Sequence, residues 1–333
     1  MERIRRTRNE YGGFLPLELN QGEELFAKYE KTLLRFNSVK ASLSYLLERT
    51  DCIKIYVPYY YCPSTIEAIK RTEIEICFYH ITDNLMPVAV PDEEGICVLL
   101  VDYFGVRSRQ IEKLAKSFKR AEVILDRAHS FYAEPMIDRH IHNVYSAKKF
   151  FGVPDGSYLV SMNIFPSVQI PTDAYEYAGY LALCYEKGTD AAYALKKKAD
   201  KVLADHYGYM SSLAIGLMQN VDYDRVAKRR RENYRFLYNA FRHVNEIELP
   251  EECIAYQYPL LIREKGSYIK KRLIENKIFV STLWVSEELM KDGNEFELDM
   301  SKHCIFLPMD QRYDDSDMEY IAGKVKELTD EDS

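Results

Sequence analysis

Between residues 52 and 126 the apolar positions come in short blocks. Cys52-Ile-Lys-Ile-Tyr-Val57 and residues 74–79 each set a single charged residue among apolar and aromatic ones, Ile96-Cys-Val-Leu-Leu-Val101 is apolar throughout, and Glu122-Val-Ile-Leu-Asp126 has an apolar centre between two acids. Stretches with helical spacing, 64–71 and 107–118, lie between them. Strands alternating with helices predict βαβ units, and continuously apolar strands predict a mostly parallel sheet covered on both faces. Ahead of this region, Tyr11-Gly-Gly-Phe-Leu-Pro-Leu-Glu18 reads as an extended segment lying on another surface. Residues 22–36 read as a helix, and Ser38 is the expected N-cap of another that buries Leu43, Leu46 and Leu47.

Residues 171–245 are expected to be mostly helical. Tyr175, Tyr177, Tyr180, Tyr185 and Tyr193 are read as packing and interface residues, and the basic run 228–231 as facing water, opposite a stripe of Val226, Tyr234, Leu237, Tyr238 and Phe241. Strands at 257–262, 277–281 and 304–308, with helices at 266–275 and 316–328, then form a smaller α+β unit, and the acidic end 329–333 reads as disordered. The division expected is a three-layer α/β/α domain over 1–225 and a C-terminal α+β domain over 226–333.

A chain of 333 residues with 47% hydrophobic content has enough material for these cores. Its net charge of -7 argues against nucleic acid or an acidic membrane as the main partner. The 7 cysteines are scattered singly, with no CxxC pair, and the basic start lacks a signal-peptide core, so a reduced, cytoplasmic protein is expected. No GxGxxG, Walker, HExxH or GxSxG motif is present, and neither a metal site nor a membrane span is expected.

What remains is the stretch from Asn143 to Val160, which sets Ser146, Lys148, Lys149 and Gly156 between two strand-like runs. A lysine held near a tight turn can condense with an aldehyde cofactor while a nearby serine holds that cofactor's phosphate, although a solvated lysine beside a turn serine has the same pattern. Two other places add to it. Ser38 and Lys40 at a helix start make a phosphate cradle, with a plain capped helix as the alternative. Asp126 and His129 stand at the carboxyl end of a strand, where open α/β sheets bind ligands, as do Tyr59, Tyr60 and Tyr61.

In this order the pieces resemble the fold type I pyridoxal-phosphate enzymes, and among them the DegT/StrS-like nucleotide-sugar aminotransferases. The resemblance runs through Gly12-Gly-Phe, Val57-Pro, Ser64-Thr65, Asp102-Tyr-Phe-Gly105, Leu125-Asp-Arg-Ala-His129, the stretch 146–156, Arg231-Glu-Asn-Tyr234 and Leu307-Pro-Met-Asp-Gln-Arg-Tyr313. It implies that Lys149, seven residues before Gly156, is the cofactor lysine, with Lys148 the runner-up. It makes Asp126 the partner of the pyridine nitrogen, places His129 by the phenolic oxygen where the family usually has Gln, and gives Ser146 with Ser38, Val39 and Lys40 to the phosphate. The ring-stacking aromatic is not fixed: an ungapped count reaches Cys62, and Tyr60 and Tyr61 are the candidates.

A carboxylate about 4 Å from the ring nitrogen favours its protonation by about 4 kcal/mol at an effective dielectric of about 20, which is about three pKa units. Lys148 and the cationic ring are expected to depress the pKa of Lys149. Arg312 is read first as a structural ion pair and second as a substrate contact. The family's departures here are Val39 and Ser157 in place of glycines and a shorter chain. The resemblance implies amino transfer from a donor such as glutamate to a keto-sugar, nucleotide-linked, in a homodimer with a shared active site. A non-catalytic homologue with a binding role, and a dehydratase or racemase using the same cofactor, are the alternatives. The dehydratase branch usually replaces the lysine by His.

Overall fold

The computed structural model describes residues 13–164, 171–204 and 206–331, so Tyr11 and Gly12 lie outside the described residues. Its first half runs β1 (Leu33–Phe36), α1 (Val39–Leu47), β2 (Lys54–Pro58), α2 (Pro63–Lys70), β3 (Glu75–Tyr79), β4 (Ile96–Val101), α3 (Ser108–Ala115), β5 (Glu122–Arg127), β6 (Ile141–Ser146) and β7 (Ser157–Val160). The second half runs α4 (Gly179–Ala204), α5 (Ser212–Met218), α6 (Tyr223–Phe241), β8 (Tyr258–Leu261), α7 (Gly266–Glu275), α8 (Glu287–Asp292), α9 (Glu295–His303), β9 (Cys304–Leu307) and α10 (Asp315–Asp330). The first seven strands form one sheet in the order β1-β7-β6-β5-β4-β2-β3. Strands β2 to β6 pair in parallel, while β7 runs antiparallel to both β6 and β1.

The apolar run of β4 shows why the sheet is buried on both sides. Val98 and Leu100 pack with Ile111 and Ala115 of α3. The alternate residues Leu99 and Val101 join a core on the other face with Leu43 and Leu46 of α1 and Ile66 of α2. That second core continues into the C-terminal half through Tyr234, Leu237, Ile269 and Phe306. There β8 and β9 pair antiparallel, packed by α6, α7 and α9, with α10 against α6 and α7. Among the described residues no helix is long and apolar enough to cross a membrane.

Several expectations need correction. Residues 22–36 are not one helix: Ala27–Thr32 is a short 3-10 turn, and Leu33–Phe36 is β1, fixed by pairing with β7. Residues 277–281 form no strand. Lys277 takes φ 61° after α7 and only Ser281 bridges to Phe306, so Ile278 and Val280 alternate inward as a packed loop. The acidic end stays helical through Asp330, and α8 and α9 were not foreseen. In the basic run Arg230 does not face water. It is 2% exposed, donating from Nη1 to the carbonyls of Ala255 and Tyr256, from Nη2 to that of Phe150, and from Nε to Gln311.

Candidate active site

Because β4, β5 and β6 are parallel neighbours, Asp102, Asp126 and Ser146 come to one edge of the sheet. The end of β2 brings Tyr61 and Cys62 to the same edge. Reversal through β7 makes β1 end there too, so Ser38 opens α1 beside them and Gly156 enters β7 from that side. Ligands bind at this edge of α/β sheets. A cavity of about 420 Å³ lies there, lined by Ser38, Val39, Lys40, Tyr61, Asp126, His129, Ser146, Lys149 and others.

Local chemistry explains how each group is held. Ser38 accepts the Ala41 N–H at 3.2 Å and caps α1, whose first N–H groups precede any helical acceptor. Lys40 reaches the Ala204 carbonyl at 3.2 Å. After Ser146 the chain turns tightly, with Ala147 N–H donating to the Gly156 carbonyl at 3.0 Å, and Lys149 ends the turn. Gly156 has φ +134°, and a Cβ there would meet Met210 Cε at 2.8 Å and Ala147 Cβ at 3.0 Å, so a side chain would push the turn apart.

The floor of the cavity is buried. Asp126 accepts the Ala128 N–H at 2.8 Å and the hydroxyl of Tyr61. Burial raises its pKa, with Tyr61, Ala128 and Lys149 opposing. His129, 3% exposed, stacks on Tyr256 at 4.6 Å and on Trp284 at 5.2 Å and 8°. Burial first and Lys149 second hold its pKa well below 6.5, and its Nδ1 has no partner among the described residues. Lys149 Nζ sits 5.1 Å from the Tyr256 ring centre.

Of the two influences expected to depress the Lys149 pKa, Lys148 is not among the main ones in the protein alone, where that pKa is raised. The neighbouring Tyr256 phenol raises it most, against burial and with help from Cys62, Asp126 and Asp200. Lys148 is instead the lowered one, through burial and then Lys196. Its ammonium pairs with Asp200 at 3.2 Å, and Lys196 reaches the same carboxylate at 2.5 Å. Burial works against the Asp200 carboxylate, but Lys148 and Lys196 outweigh it and keep its pKa low.

Of the two candidate tyrosines, Tyr61 lines the cavity. Tyr60 is buried behind it, 5.8 Å from the ring of Tyr103 and 5.0 Å from that of Trp284. Tyr180, read as packing, forms part of the wall, and Cys62 is there too. Arg312 forks the carboxylate of Asp310 at 2.7 and 2.8 Å. Sequence reasoning missed Tyr256, Trp284 and Asp200. The single tryptophan was the one signal, a residue type used once and set just before α8.

This architecture, a mostly parallel sheet between helices with its site at the strand carboxyl ends, is the fold of the DegT/DnrJ/EryC1/StrS aminotransferases. One such enzyme from Brucella abortus superposes with a TM-score of 0.61 at 15% identity, over 92% of this chain and 90% of that one. The sugar aminotransferase CalS13 from Micromonospora echinospora gives 0.58 at 14%, over 91% and 90%. A GDP-4-keto-6-deoxy-D-mannose-3-dehydratase from E. coli with bound hydrated PLP gives 0.61 at 13%, over 90% and 89%. No protein-family model and no curated protein sequence matches the chain.

Proposed function

We propose that this protein is a pyridoxal-phosphate-dependent aminotransferase, carrying an amino group from an amino acid such as glutamate to a nucleotide-linked keto-sugar. The observation that carries this reading is the convergence of Lys149, Asp126, His129, Ser146 and the start of α1 on one cavity. The residues present fit the cofactor. His129 Nδ1 is a buried polar atom that the described residues leave unsatisfied, which suits a phenolic oxygen. Ser38, Ser146, Lys40 and the α1 N-terminus supply donors and positive potential for a phosphate.

When bound, the cofactor supplies an aldehyde for amines and a ring that accepts electron density from the substrate's Cα. Asp126 is placed to hold a proton at the ring nitrogen, and its burial strengthens that contact by excluding water. Lys149, as a neutral amine, moves the proton to and from Cα. Its freedom from the Asp200 pair, which occupies Lys148, supports Lys149 as the reacting lysine. Its raised pKa favours the charged form, so substrate binding has to offset that preference.

Exposed Phe14, Leu15 and Leu17 in the N-terminal segment, with Tyr185 on α4, support a homodimer in which a second copy covers them. The described cysteines are all free, which supports a cytoplasmic setting. Adding pyridoxal phosphate to the purified protein is expected to give a visible absorption band that Lys149→Ala abolishes. A colourless protein overturns the cofactor assignment. Mass spectrometry of amino-donor and keto-sugar reactions then tests the transfer, and a sugar product without new nitrogen overturns it in favour of dehydration.

A further inference from the structure

Both oxygens of Asp126 are already engaged by the protein: Oδ1 accepts from the Ala128 N–H at 2.8 Å, and Oδ2 from the Tyr61 hydroxyl. Each carboxylate oxygen has a second lone-pair site, so these bonds leave capacity for one more donor. Tyr61 comes from the end of β2, and its hydroxyl reaches past β4 to a residue of β5. It is 1% exposed yet borders the cavity. Its neighbour Tyr60 is equally buried, but that hydroxyl has no partner among the described residues. A buried tyrosine at this place therefore does not find Asp126 merely by being buried.

We propose that Tyr61 is a positioning residue that acts through Asp126: its hydroxyl stabilises the carboxylate charge and fixes the group's rotation, so that a proton shared with the cofactor's ring nitrogen rests on nitrogen. The inference rests on the function proposed above. A hydrogen bond to the charged form of an acid favours that form, and a bond to an ionised acceptor is stronger than a neutral one. Without the hydroxyl the carboxyl becomes the stronger base and the same proton shifts from nitrogen to oxygen. Only the proton moves.

Two spectroscopic readouts on Tyr61→Phe test this, with Tyr60→Phe as the control. In the protein alone, the Asp126 carboxyl carbon is followed by NMR after selective labelling and identified by its loss in Asp126→Asn. Its titration midpoint is expected to rise by about one pH unit in Tyr61→Phe and to stay in place in Tyr60→Phe. In protein loaded with ring-15N pyridoxal phosphate, the nitrogen signal is expected to move toward its unprotonated position in Tyr61→Phe alone. Replacing Tyr61 by 3-fluorotyrosine, a stronger donor of similar shape, is expected to shift both signals the opposite way. An unmoved carboxyl midpoint overturns the proposal, as does an unmoved nitrogen signal in the loaded Tyr61→Phe variant. Failure of the unmodified protein to take up pyridoxal phosphate overturns the function proposed above, and the carboxyl titration still decides whether Tyr61 governs Asp126.

Discussion

At the rim of the cavity Lys148 and Lys196 share the carboxylate of Asp200 at 3.2 and 2.5 Å, with the Asp200 side chain half exposed. At its floor Asp126 and His129 are buried, one with its pKa pushed up and the other down, both chiefly by loss of water. At the rim burial also lowers the Lys148 pKa, but each charge there has an ion-pair partner. The floor carries groups whose desolvation the protein does not fully offset, and one of them, His129 Nδ1, has no partner among the described residues. Charged groups held in this way gain from a bound molecule what water no longer gives them, so perturbed groups in a cavity point to chemistry more strongly than ion pairs do.

Four tests can break or sharpen that contrast. The widest separation is between adjacent lysines: Lys149→Ala is expected to lower kcat/KM by about a thousandfold or more, and Lys148→Ala by about tenfold at most. Steady-state assays of the two variants would reverse the assignment if the order inverted. Next, Arg230→Ala removes the guanidinium that ties Phe150 to Ala255 and Tyr256 behind the floor. It is expected to cost about 3 kcal/mol of unfolding free energy in urea, because buried carbonyls lose their donor.

The third concerns pH. The folded-state pKa of His129 is lowered, so its contribution to stability is fully present above about pH 6.5, the ordinary value, and is lost as pH falls from there toward the folded value. The expected slope is at most about 1.4 kcal/mol per pH unit. His129→Gln, which cannot take up the proton, should flatten urea-unfolding free energies between pH 7 and 5, and an unchanged slope would refute the claim. The smallest effect belongs to the rim, where Asp200→Asn is expected to change stability by less than about 1 kcal/mol. A loss larger than that of Arg230→Ala would mean that the rim, not the floor, is where the cavity is held together.

What could be read from sequence follows from how local each feature is. Strand β4 is apolar at every position because both faces are covered, β5 has an apolar centre, and Asp126, His129, Ser146 and Lys149 stand at or just past strand ends, so their place needed only the strand assignment. By contrast β1 exists through its pairing with β7, more than a hundred residues away, and its Leu-Leu-Arg-Phe fits a helical spacing equally well. Tyr256 and Trp284 arrive from beyond α6, and Asp200 from the far end of α4, so no short-range pattern joins them to Lys149. Arg230 is a different case. Its spacing from Val226, Tyr234 and Leu237 puts it on the buried stripe of α6, and the periodicity was right where residue type misled.

Trp284 is the sequence's 1 tryptophan and forms part of the cavity wall. Indole emission from this protein therefore originates beside the floor, undiluted by any other indole. A chromophore seated there would quench it by energy transfer, and a solute that merely adhered elsewhere on the surface would leave it largely unchanged. The chain thus carries a built-in optical gauge of occupancy, readable without a label.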